Sequence, residues 1–184
     1  GADLITVSSH KIHGPKGAGA LYISPRLKSF PALLLGGGQE GGYRSGTEGT
    51  PAIFGFAAAC AAISATVKED SRHEKEMLDA LAEQLSNLPG IAINGCHEAP
   101  HVLNIGIPGL PTQNTINILQ DALICVSAGS ACAKGHRSHV LSAMNLPPEV
   151  IDGSFRISLC KDTTQEELER FTEVLQNKIL PRVR

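Results

Sequence analysis

The chain has 184 residues, of which 42% are hydrophobic and 18% are charged, and its formal net charge is -2. This length allows one domain of ordinary size, or a small domain with part of another, in a soluble globular composition. Neither sign of charge forms a long block, so we expect no direct nucleic-acid partner and no anionic membrane partner. We also expect no transmembrane segment.

Five cysteines are spread along the chain, with no CxxC pair and no signal peptide. An odd number in this arrangement argues against a secreted disulfide framework. We therefore expect a cytoplasmic location, with any one thiol free to react. For Cys60, Cys96, Cys125 and Cys160 we expect core or incidental roles.

The amino-terminal residues already have the pattern of a strand, from Leu4 to Val7, with no capping or leader residues before them. We expect the chain to begin inside a domain, and a native start at a sheet edge is the alternative. A second, adjacent strand is predicted from Ala20 to Ile23. The loop between the two is rich in Gly, His, Lys and Pro, and we expect chemistry there.

A glycine-rich segment and two helical patterns follow. Residues 36–42 hold too much glycine to form regular structure without tertiary support. A helix is predicted from Thr50 to Val67, with an early proline and with small residues that allow close contact. An amphipathic helix that continues or adjoins it is predicted between Ser71 and Leu88, where apolar residues recur every three or four positions.

The second half of the sequence alternates between strand and helix patterns, which predicts a small α/β domain. Strands are expected near 91–93, 102–107, 124–126 and 155–159, and helices at 112–123 and 138–144. A final helix follows Asp162–Thr164, whose polar side chains can cap it.

The first group of reactive side chains lies in the loop after the first strand, where Ser8, His10 and Lys11 are close in sequence. A lysine that such a turn holds partly out of water can form a Schiff base with a carbonyl cofactor. The alternatives are a solvated loop lysine and a structural histidine. A nucleotide-binding turn is disfavoured, because Lys16 is followed by Gly17 and no GxGxxG follows a strand.

The second group is a thiol, Cys132, in the small-residue loop 127–135. A mobile, exposed thiol suits sulfur chemistry because it can reach into one site and present its product at another. The alternative is a buried, inert cysteine. Cys125 and Cys132 with His136 and His139 could suggest zinc, but they lack the close ligand pairs of common structural sites, and we predict no metal.

The third candidate is Arg156, within an apolar strand where a lone charge needs a partner. Its guanidinium suits the carboxylate of an amino acid, because it can donate two parallel hydrogen bonds. An internal ion pair or an outward-facing edge position is the alternative.

Together, the motifs at 8–11, 14–17, 36–40 and 44–47 resemble, in order, the cofactor-lysine region of the NifS and IscS type cysteine desulfurases. These are fold-type I pyridoxal-phosphate (PLP) enzymes of the class V aminotransferase group. The resemblance continues through Gly129–Cys132 and the Arg-x-Ser strand to the end of the chain. It implies that the chain is the carboxy-terminal portion of such an enzyme.

The resemblance also implies residue roles. Lys11 carries PLP, Ser8 and His10 contact its phosphate, and Thr47 contacts the phosphate of the partner subunit's cofactor, which implies a homodimer. Cys132 is the nucleophile that becomes a persulfide. Arg156 binds the carboxylate of the substrate.

The implied function is PLP-dependent conversion of L-cysteine to L-alanine, with the sulfur passed to an iron–sulfur scaffold or another sulfur-acceptor protein. A selenocysteine lyase or another class V PLP enzyme is the first alternative. A non-catalytic thiol or metal-binding module is the second.

The implied fold class is α/β. Residues 1–68 form the end of the large PLP-binding domain, a three-layer α/β/α sheet, with a linking helix. Residues 69–184 form the small carboxy-terminal domain. Family members also have an amino-terminal half with further cofactor contacts, so we expect this chain alone to lack full activity.

Overall fold

The computed structural model describes residues 1–129 and 137–183. The chain folds as two compact units, Gly1–Val67 and Lys68–Arg184. The first unit carries Lys11 and its neighbouring motifs, and the second carries Arg156.

The first unit begins with an antiparallel pair of strands. Strand β1 (Leu4–Ser8) pairs with β2 (Gly19–Ile23), with Leu4 opposite Ile23 and Ser8 opposite Gly19. This confirms both predicted strands and their adjacency. Residues 1–67, all of which are described, hold these two strands and one isolated bridge, so the three-layer sheet is not formed by this unit itself.

The glycine-rich segment has little regular structure, as predicted. It contains one short 3-10 turn, Glu40–Gly42, and a bridge between Leu34 and Arg44. Gly41 and Gly42 have φ values of 64° and 86°, which lie in the left-handed region that favours glycine.

The two predicted helical patterns form a single helix, α1 (Thr50–Ser86), of 37 residues. The continuation proposed from sequence is therefore confirmed. An 18-residue window of α1 has a mean hydropathy of 1.6, so the helix is long and apolar enough to cross a membrane. The expectation of no transmembrane segment stays a prediction, because core helices of soluble proteins meet the same criterion.

The second unit contains a three-stranded antiparallel sheet in the order β3 (Ala92–Asn94), β4 (Val102–Gly106) and β5 (Ser154–Ser158). All three strands agree with the predicted positions to within two residues. The strand predicted at 124–126 is wrong. That segment leaves the preceding helix through Leu123, whose φ is 63°, and meets β5 only in a bridge at Ser127.

Five helical segments accompany this sheet in the described part of the second unit, besides the end of α1. They are α2 (Thr112–Asp121), α3 (His139–Ala143), α4 (Pro148–Asp152), α5 (Gln165–Val174) and the π turn Leu175–Ile179 that extends α5. A 3-10 turn at Leu180–Arg182 follows. The sequence predicted all of these regions except α4. Thr164 caps α5 through a capping box with Glu167, which confirms the predicted polar cap.

The apolar core lies in the second unit. It is built from one face of α1, the inward side chains of β4 and β5, and the final helix. Its fully buried members include Leu78, Leu85, Leu103, Ile105, Ile107, Leu119, Phe155, Leu175 and Ile179. Since Phe155 and Ile157 point into this core, Ser154, Arg156 and Ser158 lie on the opposite face of β5.

Candidate active site

Lys11 lies in a short 3-10 turn, Ser9–Ile12, directly after β1. Two backbone hydrogen bonds fix this turn: Ser9 N donates to the oxygen of Ala18, and Gly14 N donates to the oxygen of Ser9, both at 3.0 Å. Ser9 is fully buried beneath the turn. The backbone therefore holds the turn in place, with one serine side chain on its inner side.

The turn packs closely against α1. A Cβ atom added at Gly55 of that helix would lie 2.8 Å from Cγ of Pro15, and one added at Gly14 of the turn would lie 3.2 Å from Cβ of Ala59 in the helix. These contacts confirm the prediction that the small residues of the helix allow close approach. A side chain at either glycine would displace the turn that carries Lys11.

Ser8, His10 and Lys11 are all exposed, as is Thr47 in the irregular segment before α1. The expectation that the turn holds Lys11 partly out of water is wrong for this unit. The reason is that residues 1–67 bury only Ser9 and Ser24, and nothing among them covers the amine.

These side chains suit PLP in chemical type. The hydroxyl of Ser8 and the imidazole of His10 are hydrogen-bond donors that a phosphate can accept, and the amine of Lys11 can react with an aldehyde. All three are accessible and lie within four consecutive residues, Ser8 at the end of β1 and the other two on the backbone-fixed turn. The residues present therefore fit the phosphate and the aldehyde of the cofactor.

Arg156 lies on β5, opposite Asn104 of β4. Its side chain is half-buried, and its Nε is fully buried without a hydrogen-bond partner among the described residues. The ion pairs within residues 1–129 and 137–183 do not include it. An internal ion pair is therefore not its role in the described part of the chain.

Cys132 lies outside the described residues, as does His136 of the possible zinc group. The residues on either side are described. Arg156 N donates to the oxygen of Ser127 at 2.7 Å, and Ser127 N donates to the oxygen of Arg156 at 3.1 Å. Arg137 binds Asp152 through two hydrogen bonds of 2.6 Å. One flank of the cysteine loop is thereby fixed to Arg156, and the other to the end of α4.

The remaining cysteines differ in part from expectation. Cys60, Cys96 and Cys125 are exposed and Cys160 is partly buried, so a core role is wrong for the first three. Cys125 does not lie in a strand, for the reason given for segment 124–126. Within the described residues, no group of three or more His, Cys, Asp or Glu side chains could hold a metal ion.

Sequence reasoning missed a chain of polar side chains on the Arg156 face of the sheet. Asn94 Nδ2 donates to Oδ1 of Asn104 at 2.7 Å and to Oγ of Ser154 at 2.9 Å. Ser154 Oγ donates to the backbone oxygen of Val150 at 2.6 Å. The one signal in the sequence is a polar residue at alternate positions of predicted strands, which equally describes a solvated face.

A cavity of about 500 Å³ lies elsewhere in the second unit, between segment 122–126, the end of β5 and α5. Its lining includes Cys125, Leu159 and Phe171. Of the predicted site residues that the structure describes, none lines it, so Lys11 and Arg156 lie outside this cavity.

Comparison with known proteins gives consistent matches. The model of the family described as aminotransferase class-V matches residues 1–171. A cysteine desulfurase from a Nostoc species is 38% identical, over 99% of this chain and 46% of its own length. The cysteine desulfurase IscS of Methanosarcina thermophila is 37% identical, over 94% of this chain and 44% of its own length.

Solved structures of similar proteins resemble this chain as well. A NifS-like protein from Rickettsia africae has a TM-score of 0.85 at 33% identity, covering 97% of this chain and 48% of that chain. A cysteine desulfurase from Thermococcus onnurineus has a TM-score of 0.80 at 24% identity, which bears on the fold alone. The chain thus spans about half the length of the relatives that it matches.

Proposed function

Because the chain belongs to the class V aminotransferase family, we propose that it is part of a PLP-dependent cysteine desulfurase that converts L-cysteine to L-alanine. The observation that carries this proposal is the 38% identity to a cysteine desulfurase over 99% of the chain. Since that relative is about twice as long, the activity is proposed for the complete protein and not for residues 1–184 alone.

Four residues are proposed to hold the cofactor. Lys11 binds PLP covalently through its amine, and Ser8 and His10 donate hydrogen bonds to its phosphate. Thr47 donates to the phosphate of the partner subunit's cofactor, which makes the complete enzyme a homodimer. When bound, PLP supplies an electron sink that lets the carbon–sulfur bond of the substrate break. The accessible side chains at the end of β1 and on the fixed turn after it support the roles of Ser8, His10 and Lys11.

Two further residues are proposed to act on the substrate. Arg156 binds the carboxylate of L-cysteine, a role supported by the lack of an ion-pair partner for its guanidinium within residues 1–129 and 137–183. Cys132 attacks the substrate sulfur as a thiolate: a sulfur–sulfur bond forms and the carbon–sulfur bond breaks. The released carbon gains a proton and becomes the methyl group of alanine, and the persulfide remains on Cys132.

We further propose that residues 1–68 belong to a large PLP-binding domain with a three-layer α/β/α sheet, and residues 69–184 to a small domain. The exposed apolar strands of the first unit support this, because a sheet of that kind is covered on both faces. The persulfide sulfur passes to an iron–sulfur scaffold or another acceptor protein in the cytoplasm.

The complete enzyme tests the proposal. We expect wild-type protein to release L-alanine from L-cysteine and to show the visible absorbance of lysine-bound PLP. Lys11→Ala should remove that absorbance and reduce alanine release to background, because no other amine takes its place. The control is Lys28→Ala, an exposed lysine in the same unit, which should leave both readouts at the wild-type level.

The alternatives give different results in the same assay. Alanine release confined to L-selenocysteine would identify a selenocysteine lyase. Stoichiometric zinc without PLP would instead identify a thiol or metal-binding module. Cys132→Ser should abolish persulfide formation, whereas Cys96→Ser, which changes an exposed cysteine, should not.

A further inference from the structure

The polar chain beside Arg156 has hydrogen-bond directions that can be derived from one end. There, the backbone oxygen of Val150, which can only accept, lies 2.6 Å from Oγ of Ser154. Ser154 therefore donates its only hydroxyl proton to Val150, and its Oγ can only accept from any other neighbour. The donor and the acceptor of this first hydrogen bond are thereby fixed.

Asn94, which is buried, forms the second hydrogen bond of the chain, with Ser154. Because Oγ of Ser154 must accept, the Asn94 atom that lies 2.9 Å from it is the nitrogen Nδ2. The same nitrogen donates its second proton across 2.7 Å to Asn104, so the Asn104 atom facing it is the oxygen Oδ1. The orientation of both amides follows from one backbone carbonyl.

Asn104 consequently keeps its own Nδ2 as a donor that does not face Asn94. In the described residues this nitrogen donates to no protein acceptor. Asn104 and Arg156 are direct partners in the register of β4 and β5, so their side chains lie on one face with Cβ atoms about 5 Å apart. The guanidinium of Arg156 likewise has no carboxylate partner within residues 1–129 and 137–183.

We propose that Asn104 and Arg156 donate together to one carboxylate, that of the amino-acid substrate, and that Asn94 fixes Asn104 in the donating orientation. This rests on the proposed function, which gives Arg156 its carboxylate ligand. An ionised carboxylate only accepts hydrogen bonds and has two oxygens, so it satisfies two neighbouring donors at once. Arg156 supplies the charge, and Asn104 supplies a fixed neutral donor that selects the orientation.

Asn104→Asp in the complete enzyme tests this. The aspartate keeps the oxygen that Asn94 needs and replaces only the donor, with a negative charge that repels the substrate. We expect KM for L-cysteine to rise, and the affinity for L-alanine in a thermal-shift titration to fall, by about 10-fold or more. Weak binding of L-alaninamide, which has no carboxylate, should change far less.

The matched control is Asn177→Asp, which adds the same charge at an exposed position in the final helix and should leave both measurements at the wild-type level. Asn104→Ser provides a second variant that shortens the side chain without adding charge. It should lose L-alanine affinity in the same direction, and it can be read even if the aspartate variant fails to fold.

The inference is overturned if either variant binds L-alanine within about two-fold of wild type, or if wild type binds L-alanine no better than L-alaninamide. The proposed function has its own readout, since it fails if wild-type enzyme releases no alanine from L-cysteine. A wild-type enzyme that turns over with an unaffected Asn104 variant would therefore contradict the role of Asn104 alone.

Discussion

The two units of the chain are held together in different ways. Residues 68–184 enclose an apolar core, to which α1, β4, β5 and the final helix all contribute. Residues 1–67, all of them described, bury two serines and no apolar side chain. Their strands leave Leu4, Ile5, Val7, Leu21 and Tyr22 between 43% and 51% exposed.

The apolar core that stabilises the fold lies in residues 68–184, whereas the reactive Lys11 lies in residues 1–67. The turn that carries Lys11 is shaped by backbone hydrogen bonds and by close contact at Gly55, and neither removes much apolar surface from water. The Arg156 face, in contrast, is one side of a sheet whose other side lies on the core. We therefore expect the geometry of Arg156 to be intrinsic to residues 68–184, and that of Lys11 to depend on further protein.

The largest test of this comparison divides the chain at the unit boundary. Residues 68–184 produced alone should give a single cooperative thermal transition by circular dichroism, because their core is complete within the described residues. Residues 1–67 alone should give no cooperative transition, since a two-stranded pair with an exposed helix buries too little apolar surface.

A cooperative transition in residues 1–67 alone would contradict the comparison. The complete enzyme provides the matched measurement. There, the backbone amides of β1 should be protected from hydrogen exchange to nearly the same degree as those of β4, because further protein covers the strands.

A smaller effect is expected from one substitution made in both units. Phe155→Ala removes a fully buried ring in the core and should lower the free energy of unfolding by about 3–5 kcal/mol. Phe54→Ala removes a ring that is 76% exposed in α1, and it should change the free energy by no more than about 0.5 kcal/mol in this chain. Urea titration of both variants measures the difference.

The same two variants can be compared in the complete enzyme. Phe54→Ala should become costly there if further protein packs on α1, while the cost of Phe155→Ala should stay the same. An equal cost of Phe54→Ala in both forms would show that this face of α1 remains uncovered.

Much of the fold could be predicted because its signals are local. β-branched runs mark β1 and β2, and the apolar spacing of three and four marks the second part of α1. Two features were not predicted correctly. The segment 124–126 follows Leu123, whose φ is 63°, and its continuation meets β5 only in a bridge at Ser127. Helix α4 has five residues and is too short to leave a periodic pattern.

The candidate site divides in the same way. Lys11, Ser8 and His10 are adjacent in sequence, so a motif could identify them together. The pairing of Asn104 with Arg156 depends on the register of β4 and β5, which no local pattern encodes. A motif can also predict too much. The motif around Lys11 suggested that its amine is partly buried, but the residues of its own unit leave it exposed.

The smallest expected effect concerns the flank of the cysteine loop. Two hydrogen bonds from Arg137 hold the pKa of Asp152 below its ordinary value of 3.8, and the positive charge of Arg137 adds to the shift. A lowered pKa in the folded state means that the stabilisation is complete above the unfolded value and is lost as the pH falls through the folded value. The window therefore lies below about pH 4.

Thermal unfolding of residues 68–184 at about pH 6 and about pH 3 measures this contribution. Asp152→Asn should lower the unfolding temperature slightly at the higher pH and should reduce the further fall on acidification, because its side chain cannot be protonated. Since both side chains are exposed to solvent, the difference should be small and should shrink in high salt. Glu173→Gln, at an exposed position with no ion pair among the described residues, should show the full wild-type fall. An identical acid response in Asp152→Asn and wild type would mean that this ion pair does not stabilise the flank of the cysteine loop.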